Sequence, residues 1–215
     1  MPTKRQPSRK NPARSESDRQ ARLQAILDAA LDVFLEKGFA EARLDDVAAR
    51  AGVAKGTIYL YVPSKQALFE ALATSGIGGP IGAIEQKVLA LDLPAEAQFR
   101  TLFDFLRQEV LGTRRMDIVR LLLREASRFP ELAEIYHREV ISRGLGLLRG
   151  IAERGVASGE FRSDEIVRFP QLAIAPGLVA LLWTSLFQRL EPLDVEAMLE
   201  AHLALLMKAM KGQPS

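Results

Sequence analysis

The chain has 215 residues, of which 48% are hydrophobic and 26% are charged, as in ordinary globular proteins and unlike disordered or fibrous ones. It contains no cysteine and only two histidines, which excludes a disulfide scaffold, a thiolate or multi-histidine metal site and a cysteine nucleophile. The net charge is only +2, but residues 1–22 hold seven basic and two acidic groups. This imbalance suits a polyanionic partner, and a solvated tail without function is the alternative.

The first third of the chain is predicted to form a disordered arm followed by helices. Residues 1–16 are rich in Pro, Ser, Lys and Arg and poor in apolar residues, and we predict that they form a disordered basic arm. From Ser17 onwards apolar residues recur at helical spacing until Gly38, which is expected to end the first helix. Further helices are then predicted over 45–51, 54–61 and 65–73.

A cluster of helix-breaking residues at 76–80 predicts a boundary between a first domain over 17–75 and a second over 80–215. Every periodic stretch beyond it is helical, with helices expected over 81–90, 95–111, 115–129, 131–154, 164–190 and 193–211. Pro176 should bend the long apolar helix. Because no stretch alternates as a strand does, we predict an all-α protein of about nine helices.

The residues from Asp45 to Tyr61 have the pattern of a helix-turn-helix, with Gly52 in the turn. If Ile58 faces inward, helical spacing turns outward Lys55, Gly56, Thr57, Tyr59, Leu60 and Tyr61. Tyrosine and leucine are poor choices for a solvated face, but they suit a DNA groove, where hydroxyls reach phosphates and Leu60 meets a thymine methyl. Lys65 opposes the dipole of the next helix, which is useful if it binds a phosphate. An ordinary pair of packed helices is the alternative.

The segment Arg22–Ala73, and above all the run from Asp45 to Phe69, strongly resembles the TetR/AcrR family of bacterial transcription regulators. The resemblance implies an N-terminal three-helix DNA-binding domain and a larger C-terminal domain for ligand binding and dimerisation. The residues that match DNA-facing positions of the family are Lys55, Gly56, Thr57, Tyr59, Leu60, Tyr61 and Lys65. The family often has Ser or Thr where Arg43 stands, and we expect this arginine to reach a phosphate.

The resemblance also implies a cytoplasmic repressor that binds a palindromic operator as a homodimer and is released by a small ligand. Because one short recognition helix covers few bases, two related by a two-fold axis are needed to read a symmetric site. The last two helices are apolar and are the expected dimer surface, in a four-helix bundle across the axis. Its predicted residues are Leu178, Leu182, Leu186, Leu203, Leu206 and Met210.

The second domain carries more bulky apolar residues than its helix packing needs, which predicts an effector pocket between the helices over 95–111, 115–129 and 164–190. The predicted lining consists of Phe103, Leu122, Trp183 and Phe187, with Arg120 or Arg124 as an anchor for an acidic group. For the two arginines, a solvated face with local ion pairs is the alternative. The expected effector is a small hydrophobic or amphipathic molecule.

Two other classes of protein compete with a regulator: an all-helical enzyme acting on a hydrophobic substrate, and a helical adaptor that binds only protein. The sequence offers no nucleophile with a base, no metal ligands and no phosphate loop, so we expect no enzymatic activity, no cofactor and no metal. The longest apolar stretch, 172–187, is too short for a membrane span, and we expect no membrane partner. Salt-dependent DNA binding would separate a regulator from both alternatives.

Overall fold

The computed structural model describes residues 12–90 and 93–212, and all the regular secondary structure in these ranges is helical. The helices are α1 Pro12–Glu41, α2 Leu44–Arg50, α3 Lys55–Ile58, α4 Lys65–Ala73, α5 Gly79–Ala90, α6 Ala95–Phe105, α7 Arg115–Glu125, α8 Pro130–Tyr136, α9 Ser142–Ala157, α10 Glu165–Arg168, α11 Gln171–Leu186 and α12 Val195–Lys211. The predicted all-α class is confirmed. Contacts divide the described chain into two units, with the division between Leu68 and Phe69.

Helix α1 is longer than the sequence predicts. It begins at Pro12, so residues 12–16 are helical and the expected disordered arm does not extend to residue 16. A proline fits the first position of a helix because its φ is preset and its missing N–H is not needed there. Residues 1–11 of the predicted arm lie outside the described residues. Gly38, with φ 79°, breaks the helical path near the end of α1, as predicted.

The first unit packs α1 against α2, and α2 against α3. Ile26, Phe34 and Ile58 are fully buried, and the rings of Phe34 and Phe39 lie 5.3 Å apart. Arg50 at the end of α2 makes a two-pronged ion pair with Glu36 of α1, with both N–O distances at 2.6 Å. Apolar packing and this ion pair together fix α2 on α1.

Contrary to the prediction, the cluster at 76–80 does not interrupt the helix. A π-helical turn over Thr74–Gly78 joins α4 to α5, and the division between the two units falls earlier, inside α4. A Cβ atom at Gly76 would lie 2.5 Å from Cδ1 of Ile118, and one at Gly78 would lie 2.6 Å from the carbonyl oxygen of Glu139. These glycines are present because their neighbours pack too closely for a side chain. A tight turn would call for the same residue type, so the sequence alone does not distinguish the two.

One stretch of the described helices, Lys65–Ala90, is long and apolar enough to cross a membrane by length and composition alone. Its apolar residues Leu72, Ile77 and Ile84 are buried within the protein.

The long helix predicted over 164–190 is two helices, α10 and α11. Phe169 lies between them with φ −131° and ψ 66°, which is outside the helical region. It precedes Pro170, and the proline ring disfavours a helical conformation in the preceding residue. Pro176 lies inside α11. The break therefore comes at the earlier of the two prolines.

The core of the second unit lies where α6, α9, α10 and α12 meet. Phe99 of α6 and Phe161 of the loop after α9 are buried there, with their ring centroids 6.0 Å apart. Phe161 packs directly on Gly155, and its N–H donates to the Gly155 carbonyl at 2.9 Å. The loop is thereby folded back onto the end of α9.

The same loop also caps α6. Gly159 adopts φ 77°, a conformation that favours glycine, and turns the chain so that the carboxylate of Glu160 reaches the start of α6. Its two oxygens accept hydrogen bonds from the N–H groups of Ala95 at 2.7 Å and Glu96 at 2.8 Å. Pro94, which precedes the helix, provides no side-chain acceptor. The short sequence Gly159–Arg162 therefore has a structural role.

We expect Glu160→Ala to lower the free energy of unfolding by about 1 kcal/mol, since two N–H groups at the start of α6 lose their acceptor. Urea denaturation measures the change. Glu153→Ala is the matched control, because Glu153 is exposed on α9 and its loss should change stability by less than about 0.5 kcal/mol. Equal effects of the two substitutions would contradict the capping role.

Candidate DNA interface and ligand cavity

Helices α2 and α3 form the predicted helix-turn-helix. Gly52 in the turn has φ 66°, and the N–H of Val53 donates to the carbonyl of Ala48 at 3.0 Å. Val47, Ala48 and Ile58 are buried between the helices. The small side chain of Ala48 lets the two helices approach closely, which holds α3 in a fixed position on α2.

The residues predicted to face DNA share one surface of α3 and the turn after it. Lys55, Gly56, Tyr59 and Leu60 are exposed, while Thr57 and Tyr61 are partly buried. Leu60 is 79% exposed, which is unusual for a leucine on a solvated surface. No atom lies within 4 Å of a Cβ built at Gly56, so the backbone there is open to close approach. The residue types on this surface are those that suit contacts in a DNA groove.

Lys55 has an acidic neighbour, Asp45. Its Nζ lies 2.7 Å from Oδ2 of Asp45, and both side chains are exposed. The hydrogen bond to Asp45 raises the pKa of Lys55 above its ordinary value. Asp45 thus places a negative charge beside the surface formed by α3.

Lys65 has a contact within the unit that accounts for its position. Its Nζ donates to the carbonyl oxygens of Phe39 and Ala40, both at 2.7 Å, and lies 5.1 Å from the ring centroid of Phe39. The ammonium thereby satisfies carbonyls at the end of α1, which a lysine near a helix C-terminus does well. The position opposite the dipole of α4 does not by itself indicate a phosphate ligand.

Arg43 precedes α2, and its side chain is exposed. Its backbone N–H donates to the carboxylate of Asp46 at 3.2 Å, which orders the start of the helix. Arg43, Tyr59 and Lys65 together line a polar cleft of about 450 Å³, which Asp45 also borders. The predicted phosphate contacts Arg43 and Lys65 therefore lie at one surface with Tyr59.

The second unit contains an apolar cavity of about 160 Å³. It is lined by residues of α5 to α9, of α11 and of α12, among them Ile81, Leu102, Val119, Leu148, Ile174 and Leu199. Three π-helical turns, over Thr74–Gly78, Leu106–Val110 and His137–Ile141, each contribute to the lining. Single π turns within helices occur often at functional sites, so this cavity is the candidate ligand site.

The structure corrects most of the predicted lining. Of the residues expected there, Phe103 lines the cavity, whereas Leu122, Arg124, Trp183 and Phe187 do not. Helix α7 presents Met116 and Val119 to the cavity, whereas the predicted Leu122 lies one turn further along nearly the same side of the helix. Periodicity alone does not tell how far along this helix the cavity extends.

Neither arginine is an anchor inside the cavity. Arg120 lies in a neighbouring cleft of about 330 Å³ and pairs with Asp117 at 2.6 Å. Arg124 contacts the carboxylate of Glu125 at 3.0 Å. The local ion pairs that were the alternative for these arginines are the ones observed.

Trp183 and Phe187 lie together at the end of α11. The indole N–H of Trp183 donates to the carbonyl of Glu191 at 2.7 Å, and the two rings meet edge to face with centroids 5.3 Å apart. Trp183 is partly buried by these contacts and not by the cavity.

Tyr136, which the sequence does not indicate, is the one polar side chain among the described residues of the cavity lining. It is 7% exposed and lies at the end of α8. Burial raises the pKa of Tyr136, so its hydroxyl stays protonated. No spacing or composition marks this tyrosine in the sequence, because it follows an isoleucine in an ordinary helical pattern.

The predicted dimer residues divide into two groups. Leu178, Leu182 and Leu186 of α11 are about half exposed or more, although Leu178 also borders the cavity. Leu203 and Met210 of α12 are buried in the core, so little of either side chain is left for a partner, and Leu206 is partly buried against that core. They continue the inward-facing stripe of α12, at a spacing of three or four residues. Leu205, 68% exposed, is the large apolar residue that α12 turns outward.

Comparisons with known proteins agree with this geometry. Residues 26–72 match the family model of bacterial regulatory proteins, tetR family. The chain is 28% identical over 149 residues to the fatty acid metabolism regulator protein of Bacillus subtilis (strain 168), an alignment that covers 69% of this chain and 75% of that protein.

Two solved structures have a similar fold. FadR from Bacillus subtilis, in complex with stearoyl-CoA, aligns with a TM-score of 0.66 and 24% identity over 87% of this chain and 98% of its own. The flavonoid-responsive regulator FrrA aligns with a TM-score of 0.60 and 25% identity over 91% of this chain and 100% of its own.

A helix-turn-helix with an exposed recognition surface, joined to a helical unit that contains a cavity, defines a DNA-binding transcriptional regulator rather than an enzyme. Its helix-turn-helix segment, residues 26–72, matches the tetR family of bacterial regulatory proteins.

Proposed function

We propose that this regulator is a repressor that acts in the bacterial cytoplasm, binds a palindromic operator as a homodimer and is released by a small hydrophobic ligand. The observation that carries the proposal is that one chain has both an exposed recognition surface on α3 and an apolar cavity in its second unit. The surface of α3 would bind DNA, and the cavity would bind the ligand that controls this binding.

The exposed leucines of α11 support the homodimer. Leu182 and Leu186 are 50% and 64% exposed, and Leu190 beyond the helix is 83% exposed. Contiguous apolar surface of this kind usually marks an interface. Two copies joined through a two-fold axis would present two recognition helices to a symmetric DNA site.

The apolar lining of the cavity supports a hydrophobic ligand. The names of two similar proteins also support a hydrophobic ligand, since one is a fatty acid metabolism regulator and the other is a flavonoid-responsive regulator. A ligand that releases DNA must bind the DNA-free conformation more tightly than the DNA-bound one. A difference of about 1–3 kcal/mol is enough for a useful switch.

Selection of bound DNA from a random pool, followed by titration with the selected site, tests the proposal. We expect an inverted repeat that binds two protomers, with an affinity that falls steeply as salt rises. Deletion of the gene should raise transcription from the promoter that carries this site. A selected site without two-fold symmetry, or a fall in transcription after deletion, would contradict the operator or the sign of regulation, respectively.

Lys55 is an exposed basic residue of α3, and its replacement by alanine tests whether it binds a phosphate. The variant should bind all DNA sequences more weakly, and the slope of log affinity against log salt should become shallower by about 0.9, because one phosphate contact is lost. Lys87→Ala removes the same charge from an exposed position of α5 and should leave the slope unchanged. Gel-shift titrations at several salt concentrations measure both. An unchanged slope in Lys55→Ala would remove this lysine from the DNA interface.

A further inference from the structure

The cavity lining has no charge. Its described residues are aliphatic or aromatic apart from Tyr136, and no Asp, Glu, Lys, Arg or His is among them. In the neighbouring cleft, Arg107 and Arg120 are paired with the carboxylates of Glu196 and Asp117. An ionised group moved from water into this cavity would lose its hydration and find no partner, which is strongly unfavourable. The lining therefore selects an uncharged molecule.

The hydroxyl of Tyr136 is the exception in this lining. The side chain is 7% exposed, but its oxygen is not one of the fully buried side-chain atoms that lack a hydrogen-bond partner, so it is accessible from the cavity. A polar group on the wall of an apolar cavity is most stable when it has a hydrogen-bond partner. A water molecule would need two to four polar partners to be held there, and the lining offers one side chain. A ligand oxygen is the partner that fits.

The volume sets the size of the part of a ligand that the cavity can enclose. The cavity measures about 160 Å³. An engineered apolar cavity of about 150 Å³ in another protein accepts benzene. One ring with a short substituent therefore fills this cavity without displacement of its walls.

We propose that this cavity binds a small neutral molecule whose apolar body contacts the aliphatic walls and whose single oxygen accepts a hydrogen bond from Tyr136. The inference rests on the proposed function, because it describes the ligand to which this regulator would respond. It replaces the acidic group and arginine anchor that the sequence suggested with a neutral group and a tyrosine. Tyr136 then acts as the residue that selects among apolar molecules.

Three probes of matched size test this chemistry. Acetophenone carries a ketone oxygen, α-methylstyrene has a CH₂ group in place of that oxygen, and benzoate carries a carboxylate on the same ring. Ligand-observed NMR titration of the full-length, DNA-free protein gives the affinity of each probe. We expect acetophenone and α-methylstyrene to bind and benzoate not to bind.

Two variants locate the interaction. In Tyr136→Phe the affinity for acetophenone relative to that for α-methylstyrene should fall about fivefold, the effect of one neutral hydrogen bond, while α-methylstyrene still binds. Gly144 lines the cavity, and a Cβ there has only Ile81 Cδ1 nearby, at 3.9 Å. Gly144→Leu should therefore fill the space and weaken both probes.

The outcomes separate this inference from the proposed function. An unchanged affinity ratio in Tyr136→Phe overturns the role of the tyrosine, and benzoate binding as tightly as acetophenone overturns the selection for neutral molecules. Probes that do not bind, or that are unaffected by Gly144→Leu, overturn the site, even if the same protein still binds its operator. If the wild type does not bind an operator, the proposed function is contradicted, and this conclusion does not depend on whether the probes bind.

Discussion

Leu182→Glu should convert the protein from dimer to monomer and abolish operator binding at concentrations where the wild type is fully bound. Leu182 is half exposed on α11, beside Leu178 and Leu186, and would be covered in the proposed dimer. A carboxylate placed there without a partner costs several kcal/mol. Size-exclusion chromatography with light scattering measures the mass, and a gel shift measures DNA binding.

Leu123→Glu is the matched control for this experiment. Leu123 is 54% exposed on α7, outside the proposed dimer surface, so its variant should remain a dimer and bind DNA. Because both wild-type side chains are largely solvated in one protomer, both variants should keep the helical circular dichroism of the wild type. A dimeric Leu182→Glu would place the subunit interface on another face.

Gly155→Ala should lower the free energy of unfolding by about 1–3 kcal/mol, although alanine is intrinsically better than glycine in a helix. A Cβ at Gly155 would lie 2.1 Å from Cδ2 and 2.4 Å from Cε2 of Phe161. Phe161 is 2% exposed and also packs on Phe99, so its ring has little room to move. Urea denaturation measures the loss.

The same helix α9 provides the control. No atom lies within 4 Å of a Cβ built at Gly146, so Gly146→Ala should raise stability by up to about 1 kcal/mol through helix propensity alone. Opposite signs for the two glycines are the expected result. Two stabilising substitutions would show that Phe161 does not pack on Gly155 as described.

The sequence predicts those parts of the fold that depend on local patterns. The helical class follows from periodicity, and the turn at Gly52 follows from a glycine between two short apolar helices. The glycines at 76–80 misled the prediction because a residue that allows a turn also allows close packing, and only the positions of Ile118 and Glu139 decide between the two. Such contacts lie far away in sequence.

The two candidate sites differ in how far they were predictable. The surface of α3 is a single short helix, so burial of Ile58 decides which neighbours point outward. The cavity requires the lining positions to be chosen on each of several apolar helices, and α7 offers Val119 and Leu122, which share one side of the helix, as equally apolar candidates. The choice depends on tertiary packing, as does the burial of Tyr136. Lys65 is a third case, because its acceptors on α1 are distant in sequence.

The position of Trp183, the single tryptophan of the chain, makes two events in this protein optically separable. The indole is held by Glu191 and Phe187 at the end of α11, next to the exposed Leu182, and does not border the cavity. Its native fluorescence therefore senses the surroundings of α11. A molecule that only fills the cavity leaves the emission constant, whereas a change in emission reports association of subunits or movement of that helix.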